Sequence, residues 1–291
     1  MSKNNKEPAF EAIHGDCVEA MRLLAPGIVD LAICDWPYNI GVGYLSYEDS
    51  KPRRAYLKWC SDVVAGIRNT LTATGSLWLF CPSETVADID VMCRNQHNLY
   101  MRDWVAWGFG FGVHCEKKFS RCHAHILHYS KHRTKFTFNK AAVAVPSDRQ
   151  TLYKDKRAVA GGKTPGNVWA LTREQMDREL PAAGDVWYES RICGTFGERQ
   201  AHCPNQIPQA VLDRIILATS NPGELVMDPC AGTFSAGVAS LRHGRRFIGM
   251  DIDATSVKAG LARMEKLATE QVNPVQPGLF DKTTKQKRKK K

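Results

Sequence analysis

No stretch of the 291-residue chain is apolar for long enough to cross a bilayer. The longest uninterrupted apolar runs are about six residues, against the roughly 20 that a spanning helix needs. The opening Met1-Ser2-Lys3-Asn4-Asn5-Lys6 carries charge with no apolar segment behind it, so no export signal is expected and a cytoplasmic location is. Paired Cys-x-x-Cys knuckles are missing too. The ten cysteines are scattered and read as reduced thiols, most of them buried as small hydrophobes. His114, Cys115, Cys122, His123, His125 and His128 crowd together, but several fall on one expected strand, where neighbouring side chains face opposite ways, so no metal is expected. There is no internal repeat. Acidic residues are outnumbered, 30 against 40 Lys and Arg, for a net charge of +10.

What is present is a core-forming chain, 43% hydrophobic and 24% charged. Its apolar runs alternate between two periods. Helical spacing is expected over 17–24, 54–71 (closed by Thr74-Gly75), a segment opened by Ser83 and Thr85, 207–219, 235–241 and 255–268. Buried strands are expected over 29–34, 76–80, 101–107, 124–129, 224–227 and 246–250. Strands alternating with helices predict an α/β fold, a doubly wound and mostly parallel sheet of the Rossmann-like type. Between about 134 and 199 the pattern breaks into Gly161-Gly162, Thr164-Pro165-Gly166 and mixed charges, an inserted loop-rich region. Four segments follow: a catalytic half over 1–133, the insertion over 134–199, a cofactor half over 200–270 and a disordered basic tail over 271–291. Seven Lys or Arg lie between Lys282 and Lys291 with Asp281 ahead of them, so about +6 of the net charge is in that tail. It is either a solubilising tail or an arm for a polyanion.

Ligands of open parallel sheets bind beyond the carboxyl ends of the strands, and two such ends carry chemistry. Asp228-Pro229-Cys230-Ala231-Gly232-Thr233 joins a strand to a helix with residues small enough for backbone to approach a ligand. About 20 residues on, Gly249-Met250-Asp251 ends the next strand with an acid able to accept from two ribose hydroxyls. Together they describe a nucleoside-binding site; the plain alternative is a strand–turn–helix with a capping Asp. The second end is Asp35-Trp36-Pro37-Tyr38. Proline stiffens the turn, the Asp35 carboxylate and Trp36 carbonyl can both accept from one amino group, and Tyr38 offers a flat face. That suits transfer to an exocyclic base amine, although a turn after a buried strand is the commoner meaning of four such residues.

With these motifs in order, the chain resembles the amino-methyltransferases of DNA, most of all their circularly permuted β-type, in which the catalytic motif precedes the cofactor motif. Asp35-Trp36-Pro37-Tyr38 is similar to the family's Asp-Pro-Pro-Tyr, preceded by Gly15-Asp16-Cys17 and followed by Asn39-Ile40-Gly41. Asp228-Pro229-Cys230-Ala231-Gly232 is similar to its Asp-Pro-Phe-x-Gly loop, and His202-Cys203-Pro204-Asn205-Gln206-Ile207-Pro208 to the segment ahead of it. The likeness runs from about Ala12 to Leu267. It implies S-adenosylmethionine as cofactor, held by Asp16, Cys17, His202, Asn205, Gln206, Asp228, Pro229, Cys230, Ala231, Gly232 and Asp251. It implies methylation of adenine N6 in duplex DNA after the base is flipped out, with Asp35, Trp36, Pro37 and Tyr38 catalytic. Cytosine N4 is the alternative, less favoured because cytosine-directed relatives more often carry serine in place of Asp35. A non-catalytic DNA-binding relative, an RNA enzyme or a protein-amide enzyme are more distant readings. Three departures stand out: Trp36 replaces the first proline, Phe234 stands where a second glycine is usual, and Ile207 where many relatives have lysine.

The insertion matches the family's target-recognition region. Arg149, Gln150, Tyr153, Lys154, Lys156, Arg157 and Lys163 are its candidate DNA contacts, the Arg and Gln types reading base edges and the lysines meeting phosphates; a solvated charged loop is the plain alternative. Relatives often form homodimers. Gln276-Pro277-Gly278-Leu279-Phe280 is similar to peptides that dock on bacterial sliding clamps, with Gln276, Leu279 and Phe280 as anchors.

Overall fold

A computed structural model describes residues 9–108, 115–117, 119–159, 161–169, 199–200 and 205–269. The described strands are β1 (Phe10–His14), β2 (Val29–Cys34), β3 (Leu71–Cys81), β4 (Tyr100–Gly108), β5 (His123–Ser130), β6 (Val168–Trp169), β7 (Leu225–Asp228) and β8 (Arg246–Asp251). The helices are α1 (Cys17–Leu23), α2 (Arg53–Thr70), α3 (Val86–Asn95), α4 (Lys140–Val143), α5 (Asp148–Thr151), α6 (Gln209–Thr219), α7 (Ser235–Arg242) and α8 (Ala254–Thr269). They build one eight-stranded sheet in the order β1-β8-β7-β2-β3-β5-β4-β6. Every described pairing is parallel except those of β5, which is antiparallel to β3 and β4.

The alternation of side chains along each strand divides the core between two helical layers. Val29, Ala32 and Cys34 of β2, with Leu77, Leu79 and Cys81 of β3, pack with residues of α1, α2 and α3. Leu31, Ile33, Trp78 and Phe80 from the same strands face Val211, Ile215 and Ala239 of α6 and α7, and Met264 of α8. The near-continuous burial of β2 is what a strand covered on both faces requires. The doubly wound, mostly parallel sheet expected from the alternation is the fold observed.

Three details differ from expectation. α2 ends at Thr70 and β3 begins at Leu71, with a register shift between Val29 and Leu31, so Gly75 lies inside a strand rather than closing a helix. A Cβ there would come within 3.1 Å of the Val29 carbonyl, so its absence permits the close passage. β1 is an added parallel edge, half-exposed and too short to show a period. Within the expected loop-rich insertion, β6 extends the sheet on β4, and Val145 and Lys163 form a two-residue bridge.

β7 leads through α7 to β8 on one side, and β2 leads through α2 to β3 on the other. The winding therefore reverses between β7 and β2, where an open sheet leaves a crevice.

Candidate active site

A cavity of about 300 Å³ opens along the carboxyl edge of the sheet at that reversal. Its lining includes Asp35, Trp36, Pro37 and Tyr38 beyond β2, Asp228 with Pro229, Cys230, Ala231 and Gly232 beyond β7, and Asp251 ending β8. Asp16 and Cys17 beyond β1, with Asn205 and Gln206 ahead of α6, complete the ring of sequence-predicted residues. His202 lies outside the described residues. Sequence reasoning did not place Trp59, Pro82, Trp107, Arg121, His123 or the stretch from Val42 to Tyr47 at the site, all of which also line the cavity. They carry no motif and arrive from separate elements.

At the β2 end, burial and the neighbouring Asp35 carboxylate push the Tyr38 phenol well above its ordinary pKa, and its hydroxyl hydrogen-bonds Asp35. Pro37 is fixed from behind, because the Tyr56 hydroxyl donates to its carbonyl at 2.9 Å. Trp36, the departure from the usual proline, turns its ring into the core. It packs 6.1 Å from Trp59, which stacks on Tyr56 and touches Tyr47. The indole fills the core there, and Pro37 still follows it. Trp36 Nε1 and the Tyr47 hydroxyl are buried with no hydrogen-bond partner among the described residues.

The chain after Tyr38 is a tied loop. The buried Asp49 carboxylate accepts from the backbone N–H groups of Asn39, Ile40 and Val42 at 2.7–3.1 Å. Asn39 holds φ +58° and brackets Lys51, accepting from its N–H at 2.6 Å and donating to its carbonyl at 2.8 Å. Ser46 donates to Asp253 at 3.2 Å, so the loop reaches across to the far side of the cavity.

The β7 end works through backbone and carboxylates. Asp228 is buried and its carboxyl lies well above the usual range, through burial and the nearby Asp35 and Asp251 charges. Asp251 accepts from Gly232 N–H at 2.8 Å with one oxygen and from Asp253 N–H at 2.8 Å with the other, which binds the two loops into one platform. Asp16 caps α1, accepting from Val18 and Glu19 N–H. Gln206 accepts from Gln200 N–H at 2.8 Å. The thiols of Cys17, Cys230 and Cys34 form a hydrogen-bonded row. Their pKa values are raised, that of Cys34 by burial to about 12, so the row is uncharged at neutral pH.

Phe234 does adopt the left-handed backbone its position demands, with φ +57° and ψ +29°, a conformation that costs about 1–2 kcal/mol in a non-glycine residue. Its ring is fully buried, edge-on to Phe247. A Cβ on Gly260 would meet that ring at 2.2 Å and one on Gly249 at 2.6 Å, so two glycines hollow out its seat. Burial of a phenyl group contributes about 1.5–3 kcal/mol and offsets the strain. The ring points into the core, and the cavity stays open.

In the insertion, Gln150 accepts from Ser147 N–H at 2.8 Å and donates to the Val159 carbonyl at 2.8 Å, so both ends of its amide hold a turn. Arg157 pairs with Asp155. Tyr153 is exposed, as are Arg149, Lys154 and Lys156; Lys163 is half-buried.

The family model for DNA methylases matches residues 29–262. The chain is 30% identical over 254 residues to the DNA adenine methyltransferase YhdJ of Escherichia coli, covering 87% of this chain and 82% of that one. It is 27% identical to the type II methyltransferase M.HpaI of Haemophilus parainfluenzae, over 87% and 73% of the two chains. Among solved structures, the cytosine-N4-specific PvuII DNA methyltransferase superposes with a TM-score of 0.63 at 13% identity, over 91% of this chain and 94% of that one. The complex of M1.HpyAVI with S-adenosylmethionine gives a TM-score of 0.55 at 16% identity, over 88% and 99%.

Proposed function

The chain belongs to the N6/N4 DNA methylase family, and from that membership and the geometry of the cavity we propose that it methylates the N6 amine of adenine in duplex DNA with S-adenosylmethionine. One observation carries the reading: the Asp35–Trp36 shelf shares a cavity with Asp228 and Asp251. Five aspartates line it (Asp16, Asp35, Asp228, Asp251 and Asp253), against one Arg and no Lys among the described lining residues. Such a surround suits a cationic ligand with hydroxyl and ammonium donors. The unpartnered Tyr47 hydroxyl, on a residue that lines the cavity, leaves polar capacity for a bound heterocycle.

When bound, S-adenosylmethionine supplies an electrophilic methyl group on a positively charged sulfur. Asp251 would hold the ribose hydroxyls with the lone pairs left by its two backbone partners, and Asp228 would hold the cofactor's amine-bearing end. On the other side Tyr38 supports the extruded base and holds the Asp35 carboxylate. That carboxylate and the Trp36 carbonyl would accept the two amine hydrogens, orient the nitrogen lone pair and stabilise the charge that grows on nitrogen. As the N–C bond forms the S–C bond breaks to leave a neutral thioether, and the released amine proton would pass to the Asp35 carboxylate. Extruding the base costs a few kcal/mol, returned by this pocket.

Adenine is favoured over cytosine by the acid at Asp35 and by the adenine-specific relative. The buried Phe234 ring supports an active cofactor loop over a non-catalytic relative. The order of the motifs fits the permuted β-type, with 1–133 and 200–270 the two halves of the catalytic domain and 134–199 reading the target through Arg149, Tyr153, Lys154, Lys156 and Lys163. Residues 271–291 lie outside the described residues; clamp docking through Gln276, Leu279 and Phe280 predicts a pull-down that Leu279→Ala/Phe280→Ala abolishes. The main test is incubation with S-adenosylmethionine and unmethylated genomic DNA, followed by single-molecule sequencing. N6-methyladenine at one recurring short sequence is expected. N4-methylcytosine instead would move the reading to the alternative, and cofactor binding without DNA modification would move it to RNA.

A further inference from the structure

One end of the cavity carries the single arginine among its described lining residues, and the chemistry just proposed does not use it. Arg121 and His123 line this end, where the chain enters β5 beside Pro82 at the exit of β3. The Arg121 guanidinium pairs with the Glu84 carboxylate. His123 stands edge-on to His125, ring centres 4.9 Å apart. His125 is fixed: Trp104 Nε1 donates to its Nδ1 at 3.0 Å, and the Ser83 hydroxyl lies 3.2 Å from its Nε2. A ring nitrogen that accepts from an indole carries no proton, so His125 is a neutral wall. Burial, His123 and Arg121 together keep its pKa low.

Sheet register gives the orientation of this end. Cys34 of β2 pairs with Leu79 of β3, and Leu79 with Leu127 of β5. β5 is therefore two strand widths from β2, about 10 Å, on the side away from β7 and β8, which carry Asp228 and Asp251. In adenine the glycosidic nitrogen lies across the ring system from N6. With N6 at Asp35 facing the methyl donor, the sugar and phosphate leave the pocket on the side away from the cofactor. That is the side of Arg121 and His123.

We propose that Arg121, assisted by His123, binds a backbone phosphate next to the extruded nucleotide, and that Glu84 holds the guanidinium ready until the phosphate displaces it. The inference rests on the DNA-methylating reading. An arginine fork matches a phosphate bidentately. The pair it would exchange is partly exposed, 37% for Arg121 and 46% for Glu84, and an ion pair of that kind is worth little.

The test uses the full-length enzyme and a duplex bearing the sequence that wild type methylates, with a neutral methylphosphonate replacing, one at a time, each phosphate flanking the target. Wild type should lose about tenfold in kcat/KM at one of these positions. Arg121→Gln should lose about tenfold on natural DNA and nothing further with that methylphosphonate, and its salt slope for DNA binding should fall by about one. Glu84→Gln should tighten DNA binding about two- to fivefold, whereas a purely structural ion pair would make both variants fall together. Calorimetry should show S-adenosylmethionine affinity unchanged in Arg121→Gln. Loss of cofactor affinity there would assign the cation to the cofactor's carboxylate and overturn the proposal. Equal methylphosphonate penalties in wild type and Arg121→Gln would overturn it as well. A wild type that methylates no DNA defeats the functional reading itself and removes this inference with it, an outcome visible before any variant is made.

Discussion

The two strand ends on either side of the crevice are built by opposite means. Beyond β2 the work is done by side chains: a proline, a phenol, an indole turned into the core, and a loop whose backbone is gathered by one buried carboxylate. Beyond β7 it is done by backbone: small residues, an N–H donated to Asp251, and a left-handed turn at Phe234. The contrast follows the ligands proposed for each side. A flat, neutral base is positioned by rigid aromatic surface, whereas a flexible charged cofactor needs close backbone approach and fixed carboxylates. Both sides hold a left-handed residue, Asn39 and Phe234, but only the β7 side puts a bulky ring there, and its strain is compensated at a distance, by the cleared space at Gly249 and Gly260.

The strongest way to break this contrast is to remove the compensation. Phe234→Gly relieves the left-handed backbone but empties the ring's seat, for a net loss of about 2–4 kcal/mol in urea denaturation of the cofactor-free protein. A variant more stable than wild type would show that the ring does not offset the strain. Next in size, Asp251→Ala cuts the tie to Gly232 N–H and removes the ribose acceptor. S-adenosylmethionine affinity should fall about a hundredfold, roughly 2.7 kcal/mol by calorimetry, and a loss below about threefold would transfer the role elsewhere.

On the β2 side, Asp49→Ala strips three backbone N–H groups of their acceptor. Methyl-transfer kcat/KM should drop about tenfold while cofactor affinity changes less than about threefold; equal losses would make the loop part of the cofactor site. The smallest effect concerns pH. The folded Asp228 carboxyl titrates above its unfolded value of about 3.9, so ionising it opposes folding. Stability is greatest below the unfolded pKa and declines as pH rises through the folded one. Asp228→Asn removes that decline. Its melting temperature should exceed that of wild type by about 2–4 °C at pH 8 and match it at pH 4; a deficit at pH 8 would mean the carboxylate is held by partners that favour its charge.

How much of this was legible in the sequence follows from the range of the interactions. Asp35 to Tyr38 and Asp228 to Gly232 are contiguous motifs at strand ends, and the alternation of periods was enough to expect those ends along one edge. The position of Phe234 could be flagged from its neighbours, but its seat is made by glycines on β8 and α8, and nothing local connects them. Asp49 acts ten residues away from Asn39 through backbone alone, a bond with no compositional trace. Gln150 was legible as an amide suited to adenine, yet three-dimensional context engages both its ends in a turn. His123 reads as one member of a His/Cys cluster, and Arg121 beside it carries no signal at all. Only the pairing of β5 with β3 reveals that they border the cavity.

The division of labour across the crevice is the central claim, and Asp35→Ala tests it most directly. S-adenosylmethionine binding by calorimetry and single-turnover methyl transfer to DNA should be measured on the same preparation. Affinity within about threefold of wild type, with transfer reduced by about a thousandfold or more, is the expected result. Parallel loss of binding and transfer would mean that the β2 end belongs to the cofactor site, and the contrast between the two ends would not stand.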